Sequence, residues 1–443
     1  MPTAVATNLL NVKNAQNFVD AVIAGTNNVY VAIAHTNAWA NDSAPDSVTD
    51  NTNLYVDFWR AAIGGKKITG NEISLVLSRI DWTANTVFAE YSNASANTLY
   101  GQNFYVLTED YNIYKCISNN GSANSTVKPT YLDTTTTNKE TDGYIWKYMY
   151  TLSTSDRARY LTTDFFPVKY LEANDGSLQW QVQENAIDGG IEFVKLSNTG
   201  SNYTNTSNIV ITITGDGTGA NVIAAINTTS QTVSNLTVIS PGTGYHFANV
   251  TITGGGGSNV SNATANAVIS PFDGHGSNPV EELGGSTVMI NLNLKSDEDG
   301  FITTQNDYRQ IVMIQDPIVY GSNNTIFSNT RFSQCMEITL SAGSDNYSLD
   351  EYVYQGTTLP AATFSGRVLN WDSTNNKVKL IETLGNPTSG LLVGSTSATQ
   401  RFLLSTSYYN LKPYAGDLLY IENISPIQRA TDQTENIKLI LRF

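Results

Sequence analysis

The chain has 443 residues, enough for two or three domains with separate cores, and its formal charge of −15 at pH 7 argues against nucleic-acid binding, which needs clustered Lys and Arg. Charged residues make up 14% of it, well below the usual quarter, while 40% hydrophobic content excludes a disordered chain. Few Glu, Lys and Arg to dress helix surfaces, with abundant Thr, Tyr, Val and Ile, predict a mainly β protein.

The clearest helix is predicted over about 11–25, where Phe18, Val19, Val22 and Ile23 recur at helical spacing and Gly25 supplies a stop. A strand follows at Val29–Ala34, then a polar loop, Asn37–Asn53, that holds Pro45. A second helix is expected over Tyr55–Ile63, ended by Gly64-Gly65. Strands are predicted at Ile73–Ile80, Thr86–Tyr91, Phe104–Thr108, Asn112–Ile117 and Gly143–Leu152, the last with an aromatic face of Tyr144, Trp146, Tyr148 and Tyr150.

Between about 188 and 285 glycines multiply and an internal repeat emerges, with a period of about 40 residues. Phe193–Tyr203 parallels Leu236–Tyr245, Ile209–Gly215 parallels Asn249–Gly254, and Ala220–Ile226 parallels Ala263–Ile269. Each copy reads as three short strands with Gly turns, which suits a small inserted all-β module better than a solenoid. Strands returning to the core are expected at Val288–Leu294 and Tyr308–Gln315. Four further short strands between about 347 and 402 predict a small barrel or sandwich. The chain closes on two strands, Leu418–Glu422 and Glu435–Leu441, joined by a polar connector containing Pro426. The expected fold is therefore mainly β: an α+β core domain with a few N-terminal helices, interrupted by two inserted all-β modules. Its core would take 1–187, 286–346 and 403–443, with the modules at 188–285 and 347–402.

Candidate chemistry is sparse. Gly215-Asp-Gly217-Thr-Gly219 follows a strand, but no helix of several turns follows it, so these are turn glycines and not a dinucleotide loop. Asp297-Glu298-Asp299-Gly300, with Glu281-Glu282 nearby, is the densest carboxylate group; adjacent acids in a turn read as a solvated loop, without the oxygen spacing of a calcium loop. Asp273-Gly274-His275-Gly276 reads as a structural turn whose glycines let backbone approach a neighbour. Cys116 and Cys335 are expected as buried thiols, and the three histidines, His35, His246 and His275, assemble no zinc site. Trp39, Trp82 and Trp146 lie in or beside strand patterns, in core or subunit-contact roles. No apolar run approaches a membrane span and the start Met1-Pro-Thr-Ala-Val lacks the basic residues of a signal peptide, so a soluble protein made in a cytosol is expected.

Four ordered blocks resemble the gene-eight baseplate wedge proteins of T-even-type contractile-tail phages, especially their marine cyanophage versions. They are Asn28–Trp39, Arg79-Ile-Asp-Trp82, Tyr114-Lys-Cys116 with Asp142-Gly143-Tyr144-Ile-Trp146-Lys-Tyr148, and a last set. That set combines Tyr308-Arg309-Gln310-Ile311 and Pro317 with Tyr420-Ile-Glu422-Asn423 and Asp432-Gln433-Thr-Glu435-Asn-Ile437. The likeness covers about 10–175, 285–320 and 405–443. Ile424 stands where relatives often carry Arg, so a salt bridge at Glu422 would need Arg429 in its place. The resemblance implies a virion structural subunit of the tail baseplate, a homodimer touching other wedge subunits, with no catalysis, cofactor, metal, nucleic acid, small-molecule substrate or membrane insertion. A different class of reading is a carbohydrate-binding or host-recognition virion protein that grips sugar with the Gly-rich repeat; a glycosidase is the remaining alternative.

Overall fold

The computed structural model describes residues 7–94 and 99–443. The protein is mainly β, with strands far outweighing helices among those residues. The chain divides into two compact units: residues 1–17, 74–289 and 440–443 form one, and residues 18–73 and 290–439 the other. No helix of the described residues is long and apolar enough to cross a membrane.

The second unit is built on an antiparallel sheet ordered Arg331–Ser333, Ala62–Lys67, Val29–Ala34, Asp307–Gln315, Asp417–Gln428. Val29–Ala34 is buried at all six positions, as the near-continuous apolar run Val-Tyr-Val-Ala-Ile-Ala requires of a central strand. The helix before Ala62 spans Thr52–Ala61, capped by the Asn51 side chain accepting from Leu54 N–H. Gly64-Gly65 does not end that helix, as expected from sequence, but lies inside the following strand. A Cβ on Gly64 would come within 2.5 Å of the Phe332 carbonyl, and one on Gly65 within 2.6 Å of the Phe332 ring. These glycines serve close strand approach, not a turn. Pro426 likewise sits within a strand, not a connector. Its strand is at the sheet edge, and the pairing slips between Tyr308 and Gln310, so the missing N–H interrupts no ladder.

The same unit carries a closed barrel, ordered Met336–Leu340, Lys377–Gly385, Phe364–Asp372, Tyr352–Gln355, Leu391–Gly394, Gln400–Ser407 and back to the first. Ile338, Val353, Phe364, Val368, Val378, Leu380 and Leu392 fill it. The expected module at 347–402 is thus extended at both ends, because closure requires a first and a last strand to pair, here Glu337 with Ser407.

In the first unit a sheet ordered Tyr105–Leu107, Asn112–Ser118, Ile145–Thr151, Asn138–Lys139 faces a core of Phe88, Val106, Tyr114, Tyr144, Trp146 and Tyr148. The strand expected at Thr86–Tyr91 is absent among the described residues. Phe88 N–H donates to the Tyr144 hydroxyl, and Ala89 and Tyr91 N–H donate to separate carbonyls at Asn103 and Cys116, so no ladder forms.

The Gly-rich repeat folds with an approximate twofold arrangement. The middle strands of the two copies, Ile209–Gly215 and Ala248–Gly254, pair antiparallel with Thr212 opposite Thr251. The outer strands exchange: Thr218–Asn227 pairs with Thr232–Thr243, and Thr264–Ile269 with Ile191–Asn198. Matched tyrosines lock the copies together. The Tyr203 hydroxyl accepts from Ala263 N–H at 2.7 Å and the Tyr245 hydroxyl from Ala220 N–H at 3.4 Å. Each ring lies on a glycine of the other copy: a Cβ at Gly255 would come within 2.2 Å of Tyr203, and one at Gly217 within 2.5 Å of Tyr245. A lone copy could bury neither ring.

Candidate functional site

Most of the residues singled out by the family resemblance gather into two polar-aromatic networks, one in each unit; Asp432 joins neither. In the first unit, Asp142 is a loop staple. Its carboxylate accepts from the N–H groups of Thr126, Val127 and Tyr144 and from the Ser125 hydroxyl. Burial alone would raise this carboxyl, but those donors hold it below the usual range. Gly143 has φ +89° and turns the chain where a Cβ would meet the Asn120 side chain. Tyr144 donates to the Ala123 carbonyl at 2.6 Å and stacks on Trp146 with ring centroids 5.5 Å apart. Trp82 Nε1 donates to Ser125 Oγ at 3.1 Å, on the same loop.

In the second unit, the loop after Val29–Ala34 is pinned to the edge strand Asp417–Gln428. Trp39 Nε1 donates to the Ile424 carbonyl at 2.9 Å, and Asn423 Nδ2 to the Asp46 carbonyl at 3.0 Å. Gln310 Nε2 donates to Asn423 Oδ1 at 2.9 Å, and Arg309 bridges Asp42 and Asp307. Glu422 accepts from the Tyr420 hydroxyl at 2.7 Å. Arg429 does not replace a partner at Glu422; fully buried, it pairs with Glu435 at 3.2 Å and donates to the carbonyls of Ile302 and Thr303. Gln433 contributes its carbonyl, which accepts from Ser296 N–H, while Asp432 is exposed in the turn. Next to this network His35 lies between Asp307 and Asp350, with ring nitrogens 2.6 and 2.8 Å from their carboxylates, and Arg367 also reaches Asp350 at 2.8 Å. Burial would lower the imidazole, but the Asp350 hydrogen bond and the carboxylate charges raise it overall.

One buried cluster was not foreseen. Lys115, wholly buried, donates to Glu282 at 2.6 Å and reaches His275 Nδ1 at 3.1 Å. Its ammonium also sits 3.9 Å above the Tyr91 ring. His275 Nδ1 is 2.9 Å from Glu282, whose second oxygen accepts from Gly276 N–H. Burial would raise the Glu282 carboxyl, yet Lys115 and His275 hold it well below its ordinary value; burial and the Lys115 charge push His275 down. Lys115 is 160 positions from His275 in sequence, and while His275 and Glu282 each stand out in the sequence, only the odd placement of a lysine between Tyr114 and Cys116 in an apolar strand could have tied Lys115 to them. The turn Asp273–Gly276 is structural as read: a Cβ at Gly274 or Gly276 would strike Ile187 or Val182.

The other candidates resolve simply. Glu298 is not part of a solvated loop; it is buried, with Arg331 at 2.5 Å and Lys66 at 3.4 Å. Cys116 and Cys335 are both free and buried, and burial pushes the Cys335 thiol up to about 12. Gly215 and Gly217 pack against the Tyr245 turn, where His246 pairs with Asp216 at 3.0 Å. Among the described residues no His, Cys, Asp and Glu group is arranged to hold a metal. Compared with known proteins, the chain matches no family model and no curated protein sequence.

Proposed function

We propose that this chain is a structural subunit of the baseplate wedge of a contractile-tail phage, acting as a homodimer that docks to neighbouring wedge subunits in the virion. The docking part of this reading is carried by one observation, the outer face of the barrel. Leu391 and Phe402 lie directly opposite on adjacent strands, and Leu404 continues the row. Phe402 is 58% exposed and Leu404 64% exposed, against a barrel already closed by its own core. Single exposed apolar residues are ordinary, but an aligned row on a rigid strand suits permanent contact with another protein. The phage-specific part rests on the ordered residue blocks that resemble the wedge family. Those residues link loops to sheets through hydrogen bonds, most of them part-buried, a role suited to a rigid building block.

Light scattering of the purified full chain tests the reading. A species of twice 48.1 kDa is expected, and a monomer that persists at every concentration would overturn it.

A further inference from the structure

We propose that a cavity of about 340 Å³ in the first unit is a docking pocket for one arginine side chain of a neighbouring protein. This rests on the docking reading above and names what one partner must present. The cavity lies between Asp188-Gly189, the Tyr245-His246 turn and the Ile269–Phe272 segment, with Tyr91, Lys115 and Glu282 beneath. Its size suits one side chain or one sugar ring, at the small end of ligand pockets.

Three features select the occupant. Four aromatic rings, Tyr91, Tyr100, Tyr245 and Phe272, line the cavity, and Phe272 is 82% exposed, an unusual position for so large an apolar ring. The polar groups of the floor are already matched to one another. Lys115 serves Glu282, His275 and the Tyr91 ring, while Ser270 Oγ donates to the Ile187 carbonyl and accepts from Gly190 N–H. Among those floor groups a sugar would find few free donors or acceptors, leaving only the exposed Asn93, Asp188 and His246 of the lining, and burying hydroxyls unpaired is costly. The lining, finally, presents an exposed acid. Asp188 lines the cavity, Asp273 next to Phe272 is also exposed, and Asp188 Oδ1 takes only the Asp273 N–H among the described residues. Lys115, the buried cation of the lining, is neutralised by Glu282, and the chain as a whole carries −15. A guanidinium meets all three conditions: its flat face stacks on Phe272, its forked edge pairs with Asp188, and its aliphatic stem fills apolar space. A lysine ammonium offers charge without the flat face.

The test is saturation-transfer NMR of the full chain with N-acetyl-arginine amide, N-acetyl-lysine amide and methyl pyranosides. The arginine compound should bind in the millimolar range, about fivefold tighter than the lysine compound, and weaken in high salt. Asp188→Asn and Phe272→Ala should each cut its affinity about fivefold, with circular dichroism unchanged. Both are exposed, so neither should disturb folding. No arginine binding, or binding indifferent to both substitutions, would overturn the proposal. Tighter binding of a pyranoside would reassign the pocket to glycan. A monomer by light scattering that still binds the arginine compound would sink the wedge reading and leave the pocket, whereas a dimer without arginine binding would do the reverse.

Discussion

Lys115→Met should expose how the first unit balances its buried charges. In the native protein the Lys115 ammonium and Glu282 carboxylate meet at 2.6 Å, with their side chains 0% and 5% exposed. Removing one member of such a pair leaves an uncompensated charge and costs about 3–5 kcal/mol. Here the loss depends on pH, because His275 Nδ1 is 2.9 Å from the stranded carboxylate. In the native protein, burial and then the Lys115 charge lower the imidazole, so it folds neutral. Native stability therefore declines as pH falls below the unfolded histidine value of about 6.5, since only the unfolded chain then gains the proton. Once Lys115 is gone, the second of the two causes that lower His275 is removed and the imidazole is left beside a lone carboxylate, so its value rises from the native one. The folded variant then takes up a proton more readily as pH falls, which offsets part of the loss. Glu282, held low, titrates well below this window. The deficit of Lys115→Met should thus be near its full size at pH 8 and clearly smaller at pH 5.5. Hydrogen exchange of peptides covering Asn112–Ser118 in a urea series reads this within the first unit. The double variant K115M/E282L should be more stable than Lys115→Met alone, because no charge is left stranded. A deficit that is small at pH 8, or unchanged between the two pH values, would mean that Lys115 does not compensate Glu282 in this way.

Three further outcomes are expected. His35 is raised overall, so its contribution to the second unit is complete below about 6.5 and lost as pH rises through its folded value; His35→Asn should flatten the fall in stability seen by urea unfolding between pH 6 and 9. Tyr203→Phe strands a buried Ala263 N–H now bonded at 2.7 Å and should cost about 1–3 kcal/mol. Tyr245→Phe gives up a longer bond of 3.4 Å and should cost less, about 1 kcal/mol or under, so calorimetry should rank the pair in that order despite their matched positions. Phe402→Ser with Leu404→Ser should leave the melting temperature nearly unchanged, since both side chains are mostly exposed, yet reduce incorporation into particles.

Sequence periodicity carried the regular parts of the fold because burial there follows the chain locally. Val29–Ala34 reads as a strand from its own six residues, and the helix Asn8–Ala24 stops at Gly25, which adopts φ +69°. Local pattern failed where a distant neighbour decided the outcome. Gly64-Gly65 carries the signature of a helix stop, but its role is set by Phe332, which presses on the strand from far along the chain. Thr86–Tyr91 has a strand-like composition, yet its amides are claimed singly by separate partners. The repeat was legible as three matched pieces, whereas the exchange of outer strands between copies was not, because pairing is a property of two segments together. Of the resemblance residues, Trp146 sits in the core, the half-buried Asp142 staples the loop beside it, and Asp432 stays in water. The Lys115, His275 and Glu282 cluster is beyond sequence reasoning for the same cause: its members meet only after strand and helix have packed.

Whether this chain is a wedge subunit is decided by its density in a reconstruction of purified phage particles. Paired copies are expected within the tail baseplate, with the Leu391, Phe402 and Leu404 face covered by another protein. Particles that lack the chain, or that hold single copies with that face open to solvent, would contradict it.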